Sequence, residues 1–224
     1  ILYTSGTTNK PKGVVCTHKN VEAQIIALVE AWEWTKEDHI PLFLPLHHIH
    51  GIINSLSCPL FVGAKVTMLG PFDTEKICSE VASKNFTVFT AVPTIYFSLI
   101  EQLENSMDLK LTEGFREMRL MMSGSAALAP EIHKKWQQLT GQELLERYGM
   151  TEVGMALSNK INGERRPGSV GVPLPGVEVR LEDDKGKTIN NEGEAGQLLI
   201  KGPQVFQGYL NLPDKTKESF KDGW

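Results

Sequence analysis

Tyr3-Thr4-Ser5-Gly6-Thr7-Thr8-Asn9-Lys10-Pro11-Lys12-Gly13 decides how the rest of this chain is read. Apolar Ile1-Leu2-Tyr3 reads as the end of a buried strand. Small residues then present hydroxyls and backbone N–H groups in a tight turn, and Lys12 adds a positive charge. Consecutive N–H groups in such a turn form an anion-binding nest, and hydroxyls add donors without bulk. The spacing is not that of a Walker A loop, because no Gly-Lys-Ser/Thr follows Gly6 at the required distance. The chemistry points to the phosphates of a nucleotide, against the plainer reading of a strand-to-loop turn rich in Ser, Thr and Gly.

The whole eleven-residue string resembles the phosphate-binding signature of the adenylate-forming superfamily, Tyr-Thr-Ser-Gly-Thr-Thr-Gly-x-Pro-Lys-Gly. That superfamily includes acyl-CoA synthetases, luciferases and peptide-synthetase adenylation domains. Asn9 departs from the pattern, standing where Gly is usual. Asn is the residue after glycine that best tolerates a left-handed backbone, so the loop can keep its shape. The resemblance implies ATP, Mg²⁺ and coenzyme A as co-substrates or cofactors. It assigns Thr4, Ser5, Gly6, Thr7, Thr8 and Lys12 to the nucleotide, with Lys12 also catalytic.

Bulk properties set the frame. With 224 residues, 41% of them hydrophobic, the chain can form one large domain or one and a half smaller ones. Net charge is −4 and the pI about 5.9, with basic residues dispersed, so no footprint for nucleic acid exists. Cys16, Cys58 and Cys78 are few and far apart, which suits reduced thiols in an intracellular protein, mitochondrial or cytoplasmic. The stretch from Gly51 to Gly70 is apolar but carries Asn54, Pro59 and Lys65, which argues against a transmembrane segment. Ile1 opens inside an apparent core strand and Trp224 ends mid-pattern, so the chain reads as an internal piece of a longer protein.

Strand and helix patterns alternate over residues 1–164. Val21, Ile25, Leu28, Val29 and Trp32 share one helical face after a possible Asn20 cap. Lys65–Leu69 reads as a strand, and Asp73 caps a helix to Ser83. Thr87–Ala91 is a buried strand, and Pro93 leads into a helix over Thr94–Leu103. Arg119–Ser123 is another strand, and Pro130 opens a helix that ends near Gly141. Such alternation argues for an α/β fold with a mostly parallel sheet flanked by helices. Over residues 165–224 helical periodicity vanishes and Gly and Pro recur, with short strands at Glu178–Leu181 and Gln197–Lys201. Asp183-Asp184-Lys185-Gly186 forms a turn between them, which predicts a small antiparallel β subdomain.

Three further segments carry chemistry. Glu146-Arg147-Tyr148-Gly149-Met150-Thr151-Glu152 follows a predicted strand and packs several functional groups into a short turn; alone, it could also be a helix cap. It resembles the adenylate motif Tyr-Gly-x-Thr-Glu, which implies that Tyr148 and Gly149 meet adenine, Thr151 donates to the α-phosphate and Glu152 ligates Mg²⁺. Hard carboxylate oxygens suit Mg²⁺, and an aromatic face suits a purine. Ser123-Gly124-Ser125-Ala126 lies at the end of a predicted parallel strand, where ligand crevices of open α/β sheets form. It resembles the family's Ser-Gly-Ala-Ala wall of the adenine and acyl pockets. Leu44-Pro45-Leu46-His47-His48-Ile49-His50-Gly51 suggests a metal by its histidines, but no Cys or carboxylate adjoins them in sequence. It fits the family's Leu-Pro-x-x-His-x-x-Gly/Ala better, which implies that His48 gates the acyl pocket and His50 faces the substrate.

Arg147 bears on which carboxylic acid is used. In many relatives the residue before the motif Tyr is Gly and lines the acyl pocket. A guanidinium there is a poor neighbour for an alkyl chain, and its planar fork suits a second carboxylate. Glu146-Arg147-Tyr148-Gly149 and His50 together resemble malonyl-CoA synthetases, with Ser123, Gly124, His50 and Arg147 facing the acid. A surface position for Arg147, or a pair with Glu146, remains the alternative. The implied reaction is ATP-dependent formation of malonyl-CoA through an acyl-adenylate. A medium-chain fatty or aryl acyl-CoA synthetase, or a non-catalytic adenylate-binding module, stays open. Gly193-Glu194-Ala195-Gly196-Gln197, with Gly208-Tyr209 and Pro213, resembles a further motif whose implied role is structural. By the same resemblance the ribose-binding Asp, the hinge and the C-terminal domain with its catalytic Lys lie past Trp224. The chain by itself is therefore expected to be inactive.

Overall fold

The computed structural model describes residues 1–4, 10–83 and 85–224. Along the chain run β1 (Leu2–Thr4), β2 (Lys12–Val15), α1 (His18–Ala31), β3 (His39–Leu42), a π-helical segment (His50–Ser57), α2 (Cys58–Val62) and β4 (Lys65–Met68). Then come α3 (Thr74–Ser83), β5 (Val88–Ala91), α4 (Pro93–Ser106), α5 (Leu109–Arg116), β6 (Leu120–Ser123), α6 (Pro130–Thr140), β7 (Leu145–Met150) and β8 (Gly154–Ser158). The last elements are β9 (Val172–Pro173), β10 (Glu178–Glu182), β11 (Gln197–Lys201), β12 (Gly208–Tyr209) and α7 (Pro213–Ser219).

A five-stranded sheet in the order β5-β6-β7-β8-β9 is the frame of the site. Its β5, β6 and β7 are parallel, and β7 turns back antiparallel into β8, which pairs β9. A separate parallel pair joins β3 to β4. Because side chains alternate faces along a strand, each central strand feeds two cores. Phe89, Met121 and Leu144 join Tyr96, Phe115 and Trp136 on one side. Val88, Leu120, Met122 and Leu145 join Leu28, Trp32 and Ile53 on the other. The aromatic groups of the first core meet edge to face, with Tyr96 and Phe115 about Trp136 at ring separations of 5.0 and 4.9 Å. This is the α/β fold expected, and the antiparallel pair β10–β11 follows it with Gly186 N–H bonding Asp183 O in the turn.

Several local expectations are corrected. Leu2–Thr4 is a strand, but it pairs antiparallel with β2, and Ile1 and Tyr3 are 64% and 59% exposed. Apolar character alone therefore misread an outer strand as a buried one. The α1 cap is Thr17, whose hydroxyl accepts from Asn20 N–H while the Asn20 side chain returns to the Thr17 backbone N–H. That reciprocal box makes Asn20 the third helical residue rather than the cap. Glu146–Met150 does not follow a strand; it lies on β7, and only residues 151–153 form the turn. Helix α7 was missed, although Pro213 at its first position was the available signal.

Candidate active site

The β7–β8 hairpin is shaped by close approach. A Cβ on Gly149 would collide with the Gly154 carbonyl and Met155, so only glycine admits the bulge between Tyr148 and Gly149. Gln24 of α1 clamps the return strand: its amide oxygen accepts Met155 N–H and its amide nitrogen donates to Met155 O. The turn between the strands carries Thr151 and Glu152 to the rim of a cavity of about 680 Å³. Thr4, Lys12, His48, His50, Ser125, Gly149, Thr151, Glu152 and Tyr209 all line it. Of the expected residues, Ser123, Gly124, Ala126, Arg147 and Tyr148 do not reach its wall, and Ser5, Gly6, Thr7 and Thr8 lie outside the described residues.

One end of the cavity is polar. Strand β12 lies against β2, which sets Tyr209 beside Lys12. Lys12 Nζ donates to the Tyr209 oxygen at 3.3 Å and stands 4.3 Å from the ring centroid. The Tyr209 hydroxyl in turn donates to Glu152 Oε1 at 2.7 Å. Burial, with the Glu152 carboxylate as acceptor and charge, pushes the Tyr209 phenol up to about 12. Tyr209 thus stays a donor at neutral pH, and its place in the site goes beyond the structural role expected of its motif. Phe206 N–H bonds Glu152 O at 2.8 Å, tying the turn to the chain just before β12.

The other end is lined by Ser125 and the histidine segment. A Cβ on Gly51 would collide with the Pro45 carbonyl, so glycine lets the loop fold back and start the π-helical segment at His50. π-Helical segments occur often at functional sites. His50 is buried, with Nδ1 3.1 Å from Ser125 Oγ and Nε2 2.7 Å from Thr90 Oγ1. Burial, then the charges of Arg147 and His48, hold its pKa well below the usual imidazole value. The His47 and His48 rings lie tilted with centroids 4.3 Å apart, and His48 lines the cavity. Among the described residues no three His, Cys, Asp or Glu side chains gather as a metal cluster.

Arg147 is neither on the surface nor paired to Glu146. Its side chain is buried, and among the described residues none of its three guanidinium nitrogens has a hydrogen-bond partner. A Cβ on Gly124 would collide with this guanidinium, so Arg147 lies directly behind the Ser123–Ala126 loop. Burial brings it down to about 10, still a cation at neutral pH. Glu146 faces the opposite side of β7, 3.3 Å from His133 Nδ1 and accepting Gly168 N–H at 2.8 Å. Tyr148 is partly exposed, with its hydroxyl 3.9 Å from Met150 Sδ.

The donor set suits a magnesium nucleotide. Mg²⁺ needs only one or two protein carboxylates when phosphate oxygens complete its shell, and Glu152, which lines the cavity with Lys12 and Thr151, would be available as one. Thr4 Oγ1, in the same wall, is a buried hydroxyl without a partner among the described residues.

The chain is 45% identical over 253 residues to a protein of Bos taurus named malonate–CoA ligase, mitochondrial, covering 100% of this chain and 43% of the relative. It is 45% identical over 239 residues to a malonate–CoA ligase of Arabidopsis thaliana, covering 100% of this chain and 38% of the relative. A solved malonyl-CoA ligase in a ternary product complex with methylmalonyl-CoA and AMP superposes with a TM-score of 0.91 at 41% identity, over 99% of this chain and 47% of that one. The chain thus spans less than half the length of the relatives it matches. No helix among the described residues is long and apolar enough to cross a membrane. The family model described as AMP-binding enzyme matches residues 1–210, and the chain belongs to that family.

Proposed function

We propose that this chain is the nucleotide- and acid-binding part of an ATP-dependent acid–thiol ligase whose acid is malonate. The observation that carries the choice of acid is the buried Arg147 guanidinium, which has no hydrogen-bond partner among the described residues. Buried polar groups are normally paired, and an uncompensated buried cation is strongly unfavourable. A dicarboxylate would supply the missing anion, whereas an alkyl or aryl acid would leave it unpaired. The relatives named malonate–CoA ligase support the same choice.

In this reading a malonate oxygen attacks the α-phosphorus of ATP, the bond to the bridging oxygen breaks, and diphosphate leaves with the electron pair. The sulfur of CoA then attacks the acyl carbon, AMP leaves, and the thiol proton passes to water. Mg²⁺ bound at Glu152 would neutralise phosphate charge. Lys12 and the hydroxyls of Thr4, Ser5, Thr7, Thr8 and Thr151 would hold the phosphates, because the first step brings a dianion against a polyanion. Tyr148 and Gly149 would meet adenine with Gly124, Ser125 and Ala126, while His48, His50, Ser123, Gly124 and Arg147 would shape the acid's end. A boundary between an α/β unit (1–164) and a β-rich unit (165–224), and a mitochondrial or cytoplasmic location, belong to the same proposal.

The test uses the full-length protein containing this chain, with ATP, Mg²⁺ and CoA, and compares malonate, butyrate, octanoate and benzoate. Malonate-dependent release of diphosphate and formation of malonyl-CoA is the expected result. A preference for octanoate or benzoate would replace malonate with an ordinary acyl-CoA ligase reading. ATP binding without diphosphate release for any acid would leave only an adenylate-binding module.

A further inference from the structure

Both nitrogens of His50 are taken by hydroxyls, so the imidazole has no free atom to offer a ligand. Ser125 Oγ sits on Nδ1 at 3.1 Å and Thr90 Oγ1 on Nε2 at 2.7 Å. A neutral imidazole has one N–H and one lone pair, so one hydroxyl must donate to the ring and the other must accept from it. Two arrangements satisfy this, and they differ in which way Ser125 points its proton.

Their surroundings separate them. Thr90 is buried on β5, and among the described residues the His50 ring is the only hydrogen-bond partner of its hydroxyl. If Nε2–H donated to Thr90, the Thr90 proton would be a buried donor with nowhere to go, an arrangement native interiors avoid. If Thr90 donates to Nε2, every proton is placed: the ring proton lies on Nδ1 and is accepted by Ser125 Oγ. The Ser125 O–H is then free to turn into the cavity that Ser125 lines. Ser125 also holds φ at 70°, a left-handed conformation that costs a serine strain and a glycine none. That strain sets the hydroxyl between the ring and the cavity, and strained backbone of this kind clusters at functional sites.

We propose that Thr90, which does not line the cavity, is a positioning residue that fixes His50 as the Nδ1–H tautomer and so makes Ser125 a hydrogen-bond donor to a carboxylate in the cavity. The carboxylate part rests on the malonate reading above; the tautomer part does not. In the opposite tautomer Ser125 would present only lone pairs, and a carboxylate would be repelled.

The experiment combines ¹⁵N spectroscopy of ring-labelled histidines in the full-length protein with kinetics for malonate and butyrate, in the wild type, Thr90→Val and Thr90→Ser. The His50 signals are assigned by their loss in His50→Gln. Wild type and Thr90→Ser should carry the proton on Nδ1, and Thr90→Val should lose that preference. For malonate, kcat/KM should fall about tenfold in Thr90→Val, the equivalent of one hydrogen bond, and recover in Thr90→Ser. For butyrate it should fall far less. A wild-type ring protonated on Nε2 overturns the proposal. So does a Thr90→Val protein with an unchanged tautomer, or one that loses malonate and butyrate activity equally. A wild type with Nδ1–H that ignores malonate would uphold the relay and remove the malonate reading instead.

Discussion

Tyr209 donates its phenolic proton to Glu152 across 57 residues of sequence at 2.7 Å, and Lys12 bonds the same phenol from the other side. The three side chains form one chain of donors and acceptors at the polar end of the cavity. Tyr209→Phe keeps the ring over Lys12 and removes only the hydroxyl. KM for ATP should rise by about three- to tenfold, the equivalent of about 1 kcal/mol for one lost bond, by the same factor with every acid. Steady-state kinetics with two acids decide it, and an effect limited to one acid would move Tyr209 into the acyl pocket.

Glu152→Gln retains shape and removes one negative charge. In the full-length enzyme kcat should drop by roughly 10²-fold or more, equally for all acids tested. Selectivity that changed with this variant would show that Glu152 contacts the acid rather than the metal nucleotide.

Arg147 should set the preference for a dicarboxylate. On the malonate reading, removing it would leave the distal carboxylate without a partner, and breaking such a buried pair costs about 3–5 kcal/mol. For Arg147→Gly this corresponds to about two to four orders of magnitude in kcat/KM for malonate, with butyrate spared or improved. Gly124→Ala should act in the same direction, because its new methyl would occupy the space of the Arg147 guanidinium. Equal losses for both acids in both variants would assign Arg147 to the fold or to the nucleotide.

Acid should destabilise the protein in two stages. His50 has a lowered folded pKa because burial disfavours its cation, so the unfolded chain takes up a proton first as pH falls below about 6.5. Stability is fully present above that pH and declines below it. Asp38 behaves similarly at lower pH. Burial alone would raise its carboxyl, but hydrogen bonds from Arg119, Thr87 and the Thr35 N–H outweigh burial and lower it. Its contribution is present above about 3.9 and is lost as pH falls through its folded value. Denaturant midpoints from pH 8 to 3 should lose the first stage in His50→Gln and the second in Asp38→Asn. Unchanged profiles would mean that neither group is linked to folding.

The Asp38–Arg119 pair itself joins the residue before β3 to the residue before β6. Arg119 Nε and Nη2 reach the two Asp38 oxygens at 2.7 Å each, and Nη1 bonds Trp32 O at 3.0 Å. Asp38→Ala should cost about 1–3 kcal/mol, because the Thr87 hydroxyl and the guanidinium lose their acceptor. Urea unfolding with an unchanged m-value is the check.

Local signals determined much of this molecule. The β-branched run before Ala91, Pro130 ahead of a periodic helix and Asp73 before α3 each name their element, because caps and periodicity act within a few residues. Arg147 could be singled out only through the resemblance to the family motif, where Gly usually precedes the Tyr. Its burial behind Gly124 and its lack of a partner among the described residues could not, since both depend on which strand lies alongside β7. Thr90 and His50 are 40 residues apart, and Gln24 and Met155 are 131 apart. Tyr209 stands on a two-residue strand, too short to carry a period, and enters the site only because β12 pairs with β2. Caps, turns and amphipathic stripes are written in adjacent residues; which hydroxyl meets which imidazole is settled only when distant strands pack into one sheet.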